Sequence, residues 1–159
     1  MYDLIRERAE DWWEVEALFD LSFAPGREAL SSYRLRDRVP PIGDLCFCAR
    51  DLDGILAGAI RYWPVRVGAV EALLLGPVAV HPTRQGEGLA GRLIRESLEK
   101  AQALRWPRVM LVGDEPYYGR HGFSRLADVE MPPPTNPARV LGTGDWAGVR
   151  GRVTPWGGR

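Results

Sequence analysis

At 159 residues the chain is long enough for one domain with a proper core and too short for two comfortable ones. Its 21 basic and 21 acidic side chains balance, leaving no bulk field to recruit nucleic acid or an anionic membrane surface. No apolar run approaches the roughly 20 residues a membrane span requires, and Met1-Tyr2-Asp3-Leu4-Ile5-Arg6-Glu7-Arg8 has no signal-peptide core, so a soluble cytoplasmic protein is the expectation.

Tyr2-Asp3-Leu4-Ile5-Arg6 reads as a short first strand. Glu10 and Asp11 then open a helix, where acidic residues suit the positive end of the helix dipole. Trp12, Val15, Leu18 and Phe19 recur at helical spacing and are expected to face the core. Phe23-Ala24-Pro25-Gly26 ends that helix. A second, strongly polar helix is expected over 27–38, stopped by Pro40-Pro41. Its alternating charges, from Arg27 and Glu28 to Arg36, Asp37 and Arg38, read as a solvated face.

Leu45-Cys46-Phe47-Cys48-Ala49-Arg50 is the next strand. Cysteines two apart on one strand face are badly placed for a mutual disulfide, so Cys46 and Cys48 read as small buried hydrophobes. With His81 and His121 the only histidines, no four-ligand spacing exists and no metal is expected. Asp51-Leu52-Asp53-Gly54 is a hairpin turn, returning through Ile55 to Trp63, after which Pro64 either continues or breaks the strand. Glu71-Ala72-Leu73-Leu74-Leu75 starts a further strand that runs through Gly76-Pro77, a pair suited to a bulge or a sheet edge, to Val78-Ala79-Val80.

That strand leads into His81-Pro82-Thr83-Arg84-Gln85-Gly86-Glu87-Gly88-Leu89-Ala90-Gly91, a glycine-rich turn opening a helix. Small residues let the backbone pass close to a ligand and present consecutive N–H groups, and the helix start adds positive potential. The combination predicts a site for a phosphate or pyrophosphate. A P-loop would need Gly-Lys-Ser/Thr where this chain has Gly88-Leu89-Ala90, and Gly86-x-Gly88-x-x-Gly91 by itself is a weak dinucleotide signal. Leu89, Leu93, Ile94, Leu98, Ala101 and Leu104 form the buried stripe of the helix that follows.

Arg108-Val109-Met110-Leu111-Val112-Gly113 is a strand buried on both faces by its composition. Asp114 to Arg120 is a short helix with Pro116 in its first turn, and Gly122-Phe123 starts another strand. Met131-Pro132-Pro133-Pro134-Thr135-Asn136-Pro137 is an extended connector. Short edge strands are expected over 139–141 and 148–153, with Trp146 over the core.

Gln85-x-x-Gly88-x-Ala90 matches the Q/R-x-x-G-x-G/A signature of the GCN5-related N-acetyltransferase (GNAT) family. Val78-Ala79-Val80-His81-Pro82 resembles that family's fourth strand, and Tyr118-Gly119-Arg120-His121-Gly122-Phe123 its Y-x-x-x-G-F segment. Within the family, Gly113-Asp114-Glu115-Pro116-Tyr117-Tyr118 looks like the YhbS-like branch of bacterial acetyltransferases. The resemblance implies an α/β fold in one domain over 1–159, with 131–159 a proline- and glycine-rich C-terminal segment. Its sheet would be mixed, mostly antiparallel, splayed between strands four and five and flanked by helices. It implies acetyl-CoA as donor, a primary amine on a small molecule or a protein as acceptor, no nucleic-acid or membrane partner, and homodimers through exposed edge strands. The implied cofactor-binding residues are Val78, Ala79, Val80, Gln85, Gly86, Glu87, Gly88, Leu89, Ala90 and Gly91, with pantetheine pairing on the main chain of Val78 and Val80. The segment from Ser22 to Arg38 is the implied wall of the acceptor pocket.

Acetyl transfer to an amine requires a neutral amine, a stabilised oxyanion and a thiolate able to leave. By the resemblance Tyr118 is the catalytic tyrosine beside the sulfur. Ordinary pKa values of about 10 for a phenol and about 8.5 for a thiol make full proton transfer uphill by roughly 2 kcal/mol, so Tyr118 is expected to act mainly as a hydrogen-bond donor to the departing thiolate. Tyr117 is the neighbouring competitor. Gly113-Asp114 stands where the family often has asparagine, and no general base stands out: Glu71 acting through water is one candidate, whereas His81 reads as structural. A non-catalytic acyl-CoA-binding module and a transferase using another acyl-CoA are the alternative readings, because the turn reads only the shared pyrophosphate.

Overall fold

The structure is a computed structural model that describes residues 1–23 and 31–156. In chain order its strands are β1 (Asp3–Arg6), β2 (Phe47–Arg50), β3 (Leu56–Val67), β4 (Val70–Val80), β5 (Arg108–Val112), β6 (Ser124–Arg125), β7 (Val129–Glu130), β8 (Val140–Gly144) and β9 (Gly151–Pro155). The α-helices are α1 (Trp12–Ser22), α2 (Ser31–Arg34), α3 (Leu89–Ala103) and α4 (Glu115–Tyr118). Strand order is β1-β2-β3-β4-β5-β8-β6. The fold is thus a mixed sheet flanked by helices. The chain divides into two compact units, the first from Met1–Arg27, Ile42–Tyr62 and Gly76–Leu104, the second from Glu28–Pro41, Trp63–Leu75 and Arg105–Arg159.

In the first unit β1 lies antiparallel to β2, with Leu4 opposite Ala49, and β2 antiparallel to β3, with Phe47 opposite Ile60. The hairpin between β2 and β3 closes as its Asp-Gly turn requires. Asp51 N donates to Ile55 O at 3.0 Å, Asp51 Oδ1 accepts from Asp53 N at 2.9 Å, and Gly54 takes φ +79°. α1 buries Val15, Leu18 and Phe19 against Cys48, Leu56, Ala59 and Ala79, while Trp12 is only half-buried. Its last turn closes on Phe23, whose N–H donates to Phe19 O at 2.9 Å. α3 packs where Gly58 leaves room, since a Cβ there would lie 3.0 Å from Leu93 Cδ1 and 3.3 Å from Leu89 Cδ2. Neighbouring strand residues point to opposite faces, so Gly58 and Ala59 put α3 and α1 on opposite sides of β3. Tyr62 from β3 and Ser97 from α3 are joined at 2.7 Å between Oη and Oγ.

The same α1 face of β3 carries Arg61, which is buried. Two carboxylates accept from it, Glu7 at 2.9 Å and Glu16, and its guanidinium lies 3.7 Å from the Trp12 ring centroid. A buried charge costs several kcal/mol unless it is paired in this way. Losing both carboxylates would leave the cation unpaired, and the cation in turn holds the half-buried Trp12 ring, a contact that apolar periodicity alone does not show.

In the second unit β4 and β5 run parallel, with Leu73 opposite Val109 and Leu74 opposite Met110. β8 lies antiparallel along the whole of β5, from Arg108↔Gly144 to Val112↔Val140, and β6 pairs with its outer side. β9 pairs antiparallel with Val65–Val67 of β3 and parallel with β7.

Several local expectations change. The strand expected at the edge over 139–141 is β8, an interior strand, because Val140 and Leu141 are buried beside β5. The polar helix expected over 27–38 is, among the described residues, only α2, since the chain turns after Arg34 and buries Leu35 and Arg36; residues 27–30 of that segment lie outside the described residues. Pro64 continues β3, and β4 runs through Gly76-Pro77 as expected, with a cis peptide at that pair. Cys46 caps the 3-10 turn Gly43–Leu45 instead of sharing a strand with Cys48. Both are free thiols, and burial pushes each up to about 12. No helix among the described residues is long and apolar enough to cross a membrane.

Candidate active site

The first unit holds the whole stretch from Gly76 to Gly91. His81 N donates to Ala57 O at 2.7 Å, and Ala79 O lies toward Gly58, 3.1 Å from where a Cβ would sit. The N–H and C=O of alternate strand residues point to opposite edges. The polar groups of Ala79 and His81 therefore serve β3, whereas those of Val78 and Val80 point to the other edge of β4. That is the edge from which a ligand's amide groups can pair. Gln85 Nε2 reaches Val80 O at 3.4 Å and ties the turn back to the strand end.

After the 3-10 turn Pro82–Arg84, the chain passes Gly86 at φ +85° and Gly88 at φ +76°, both in the left-handed region that L side chains rarely adopt. Gly88 is the N-cap of α3, and its lack of a side chain leaves the helix without a side-chain cap. The first intrahelical bond runs from Arg92 N to Gly88 O at 3.1 Å, so the amides of Leu89, Ala90 and Gly91 have no acceptor within the helix. No acidic residue stands in the first turn of α3. An uncapped helix start with no acid in its first turn suits an anion, and a pyrophosphate fits the groups present. The side chains of the turn serve the protein instead. Arg84 Nη2 pairs with Asp51 Oδ2 at 2.6 Å, and Glu87 Oε1 accepts from Tyr2 Oη at 2.9 Å. His81, read as structural, does cap the 3-10 turn, its Nδ1 accepting from Thr83 N at 3.2 Å.

Tyr118 ends α4 in the second unit. Its ring is half-buried, edge-on to Tyr117 at 5.0 Å and to Phe123 at 6.0 Å. A Cβ on Gly113 would lie 2.6 Å from Tyr118 Cε2, so the ring occupies the space that any other residue at 113 would fill. An asparagine here would need that ring to move. Gly113 thus makes room for the Tyr118 ring, a contact that the motif spacing does not show. Burial pushes the Tyr118 phenol up to about 12, with Tyr117 adding to the rise and Arg139 opposing it. Tyr117, the competitor, is instead drawn toward His121 and Arg120, whose guanidinium lies 5.5 Å from its ring centroid. Glu71 is exposed at the start of β4, and its backbone carbonyl accepts from Arg108 Nη1 at 2.6 Å.

The second unit also contains a cavity of about 520 Å³, lined by Asp128, Glu130, Val129, Met131, Thr135 and Val140 among others. Arg34 Nη1 donates to Pro133 O at 3.1 Å beside it, and the Arg36 guanidinium lies 4.2 Å from the Tyr33 ring centroid.

The model for the acetyltransferase (GNAT) family matches residues 7–123. The chain is 30% identical over 119 residues to the uncharacterized N-acetyltransferase YhbS of Escherichia coli strain K12, which covers 74% of this chain and 70% of that protein. It is similar to the crystal structure of Escherichia coli YhbS in complex with CoA, with a TM-score of 0.82 and 27% identity over 98% of this chain and 89% of that one. A GNAT family acetyltransferase from Brucella melitensis in complex with acetyl-CoA gives a TM-score of 0.72 and 28% identity over 98% of this chain and 96% of that one. With a family match that takes in the glycine turn, Tyr118 and Phe123 together, this chain belongs to the acetyltransferase (GNAT) family.

Proposed function

We propose that the protein is an acetyl-CoA-dependent N-acetyltransferase, working as a single domain in the cytoplasm and passing the acetyl group to a primary amine. The observation that carries this reading is the uncapped start of α3 behind two left-handed glycines, a built site for a pyrophosphate. The amides of Gly86 to Gly91 hold the pyrophosphate, while the main chain of Val78 and Val80 pairs with the pantetheine arm. Gln85 and Ala79 brace these groups, and Glu87 turns its side chain outward. The relatives crystallised with CoA and with acetyl-CoA support the same assignment.

Bound acetyl-CoA supplies a thioester whose thiolate must depart. Tyr118 is the catalytic residue that donates a hydrogen bond to that thiolate. With its phenol up at about 12, complete proton transfer to a thiolate of ordinary pKa, about 8.5, is uphill by roughly 5 kcal/mol. Stabilisation by a neutral donor is therefore its role. The cavity beside β7 is the candidate acceptor side, with Asp128 among its lining residues suiting an acceptor that carries a positive charge, while Glu130 pairs with Arg152 at 3.7 Å. The free thiols at Cys46 and Cys48 suit a reducing compartment. A homodimer would form through an end strand of the order, β1 or β6.

The test is release of free thiol from acetyl-CoA over a panel of primary amines, with Tyr118→Phe alongside. Amine-dependent release that falls in the variant supports the enzyme. Tight acetyl-CoA binding with no release for any amine, in either protein, would leave a binding module in its place.

A further inference from the structure

Tyr2 precedes β1 in the chain, yet it meets the glycine turn from both sides. Its hydroxyl donates to Glu87 Oε1 at 2.9 Å, inside the turn. Its carbonyl accepts from Arg92 Nη1 at 2.8 Å, in the first turn of α3. Arg84, which enters the turn, brings Nη1 to the Tyr2 hydroxyl at 3.4 Å, with its guanidinium 5.9 Å from the ring centroid. Both arginines are held at their other arm, Arg84 by Asp51 at 2.6 Å and Arg92 by Glu96 at 2.6 Å. The contacts therefore form one braced cluster.

The turn that this cluster grips has reason to be loose. No atom lies within 4 Å of where a Cβ would sit on Gly86 or on Gly88. Glycine loses more conformational freedom on ordering than any other residue, and a turn ordered only by its ligand subtracts that cost from affinity. Glu87 adds a second problem, since its carboxylate, if turned inward, would oppose a pyrophosphate.

We propose that Tyr2 is a positioning residue for acetyl-CoA, a clasp that orders the glycine turn before the cofactor arrives and holds the Glu87 carboxylate away from the phosphates. This rests on the reading of the turn as the cofactor site. Tyr2 touches no reacting atom, so it acts on cofactor affinity and leaves the chemical step alone.

The experiment compares the full chain with Tyr2→Phe, which keeps the ring and the backbone carbonyl and removes only the hydroxyl. Calorimetric titration is expected to give a Kd for acetyl-CoA that is about three- to tenfold higher in the variant, the range for losing one charge-assisted hydrogen bond near the surface. KM for acetyl-CoA should rise in parallel, while kcat at saturating cofactor stays the same. In the free protein, amide hydrogen exchange over residues 85–89 should quicken without change in β3. Equal affinity and equal exchange in the two proteins would overturn the clasp. A wild-type chain that does not bind acetyl-CoA would instead defeat the cofactor reading, and the exchange comparison would still decide whether Tyr2 orders the turn.

Discussion

In the proposed mechanism the glycine turn and the Tyr118 segment serve function by opposite routes. At Gly86 and Gly88 the backbone is the working part, and the neighbouring side chains are occupied with the protein: Arg84 with Asp51, Gln85 with Val80, Glu87 with Tyr2. In the proposed mechanism the working part at Tyr118 is one side chain, and Gly113 leaves room for its ring. Glycine serves both regions for different reasons. In the turn it supplies a left-handed φ with open space around it, whereas at Gly113 an ordinary backbone would lead a Cβ into a ring. Substitutions in the two regions should therefore separate binding from chemistry.

The largest effect is expected at Tyr118. Tyr118→Phe should lower kcat on the order of 10²-fold while Kd for acetyl-CoA changes by less than about twofold. Loss of binding in that variant would erase the contrast between the two regions. The pH dependence sharpens the point. Burial favours the neutral phenol, so the folded protein keeps the proton up to about 12, above the ordinary value of about 10. The ratio of wild-type to Tyr118→Phe kcat should stay level between pH 7 and about 10 and decline only as pH climbs toward 12. Over the same window the unfolded phenol ionises first, so this group's effect is to reduce folding stability as pH rises from about 10 to about 12. A ratio that collapses near pH 8 would show a phenol that ionises far more easily than its burial allows.

Gly88→Val comes next. A β-branched residue in the left-handed region costs about 1–2 kcal/mol, and the turn escapes that cost by leaving the conformation its amides need. Kd for acetyl-CoA should rise about 5- to 30-fold, read by titration. An unchanged Kd would mean that the turn's conformation is not what the ligand reads.

Gly113→Ala is the complementary change in the other region. Its Cβ would force the Tyr118 ring aside, so kcat should fall about tenfold with Kd for acetyl-CoA preserved. The smallest effect is expected from the cysteines. With both thiols buried and up at about 12, an aromatic disulfide reagent at pH 8 should label neither Cys46 nor Cys48 in the native chain and both after unfolding.

These regions also differ in how far the sequence reveals them. The turn is local, since its spacing, its glycines and the periodic helix behind it sit within one short run, and they fix both strand end and helix start. β8 is not local. Val140-Leu141-Gly142-Thr143-Gly144 has weak strand propensity because two of its five residues are glycines. Those glycines answer to distant packing: a Cβ on Gly142 would lie 2.6 Å from Trp146 Nε1, and one on Gly144 2.5 Å from Pro107 O. The Arg61 pairs with Glu7 and Glu16 and the Tyr2 contacts with Glu87 and Arg92 join residues far apart in the chain, which periodicity does not couple. Gly113 lies only five residues from Tyr118, but its importance depends on the direction of a ring, which spacing does not state.

The account stands most directly on one titration of acetyl-CoA into the wild-type chain, with desulfo-CoA and dephospho-CoA as companions. It predicts micromolar binding of acetyl-CoA, retained by desulfo-CoA and dephospho-CoA to within about tenfold, because the turn reads the pyrophosphate that all three share. No detectable binding at millimolar acetyl-CoA would contradict it.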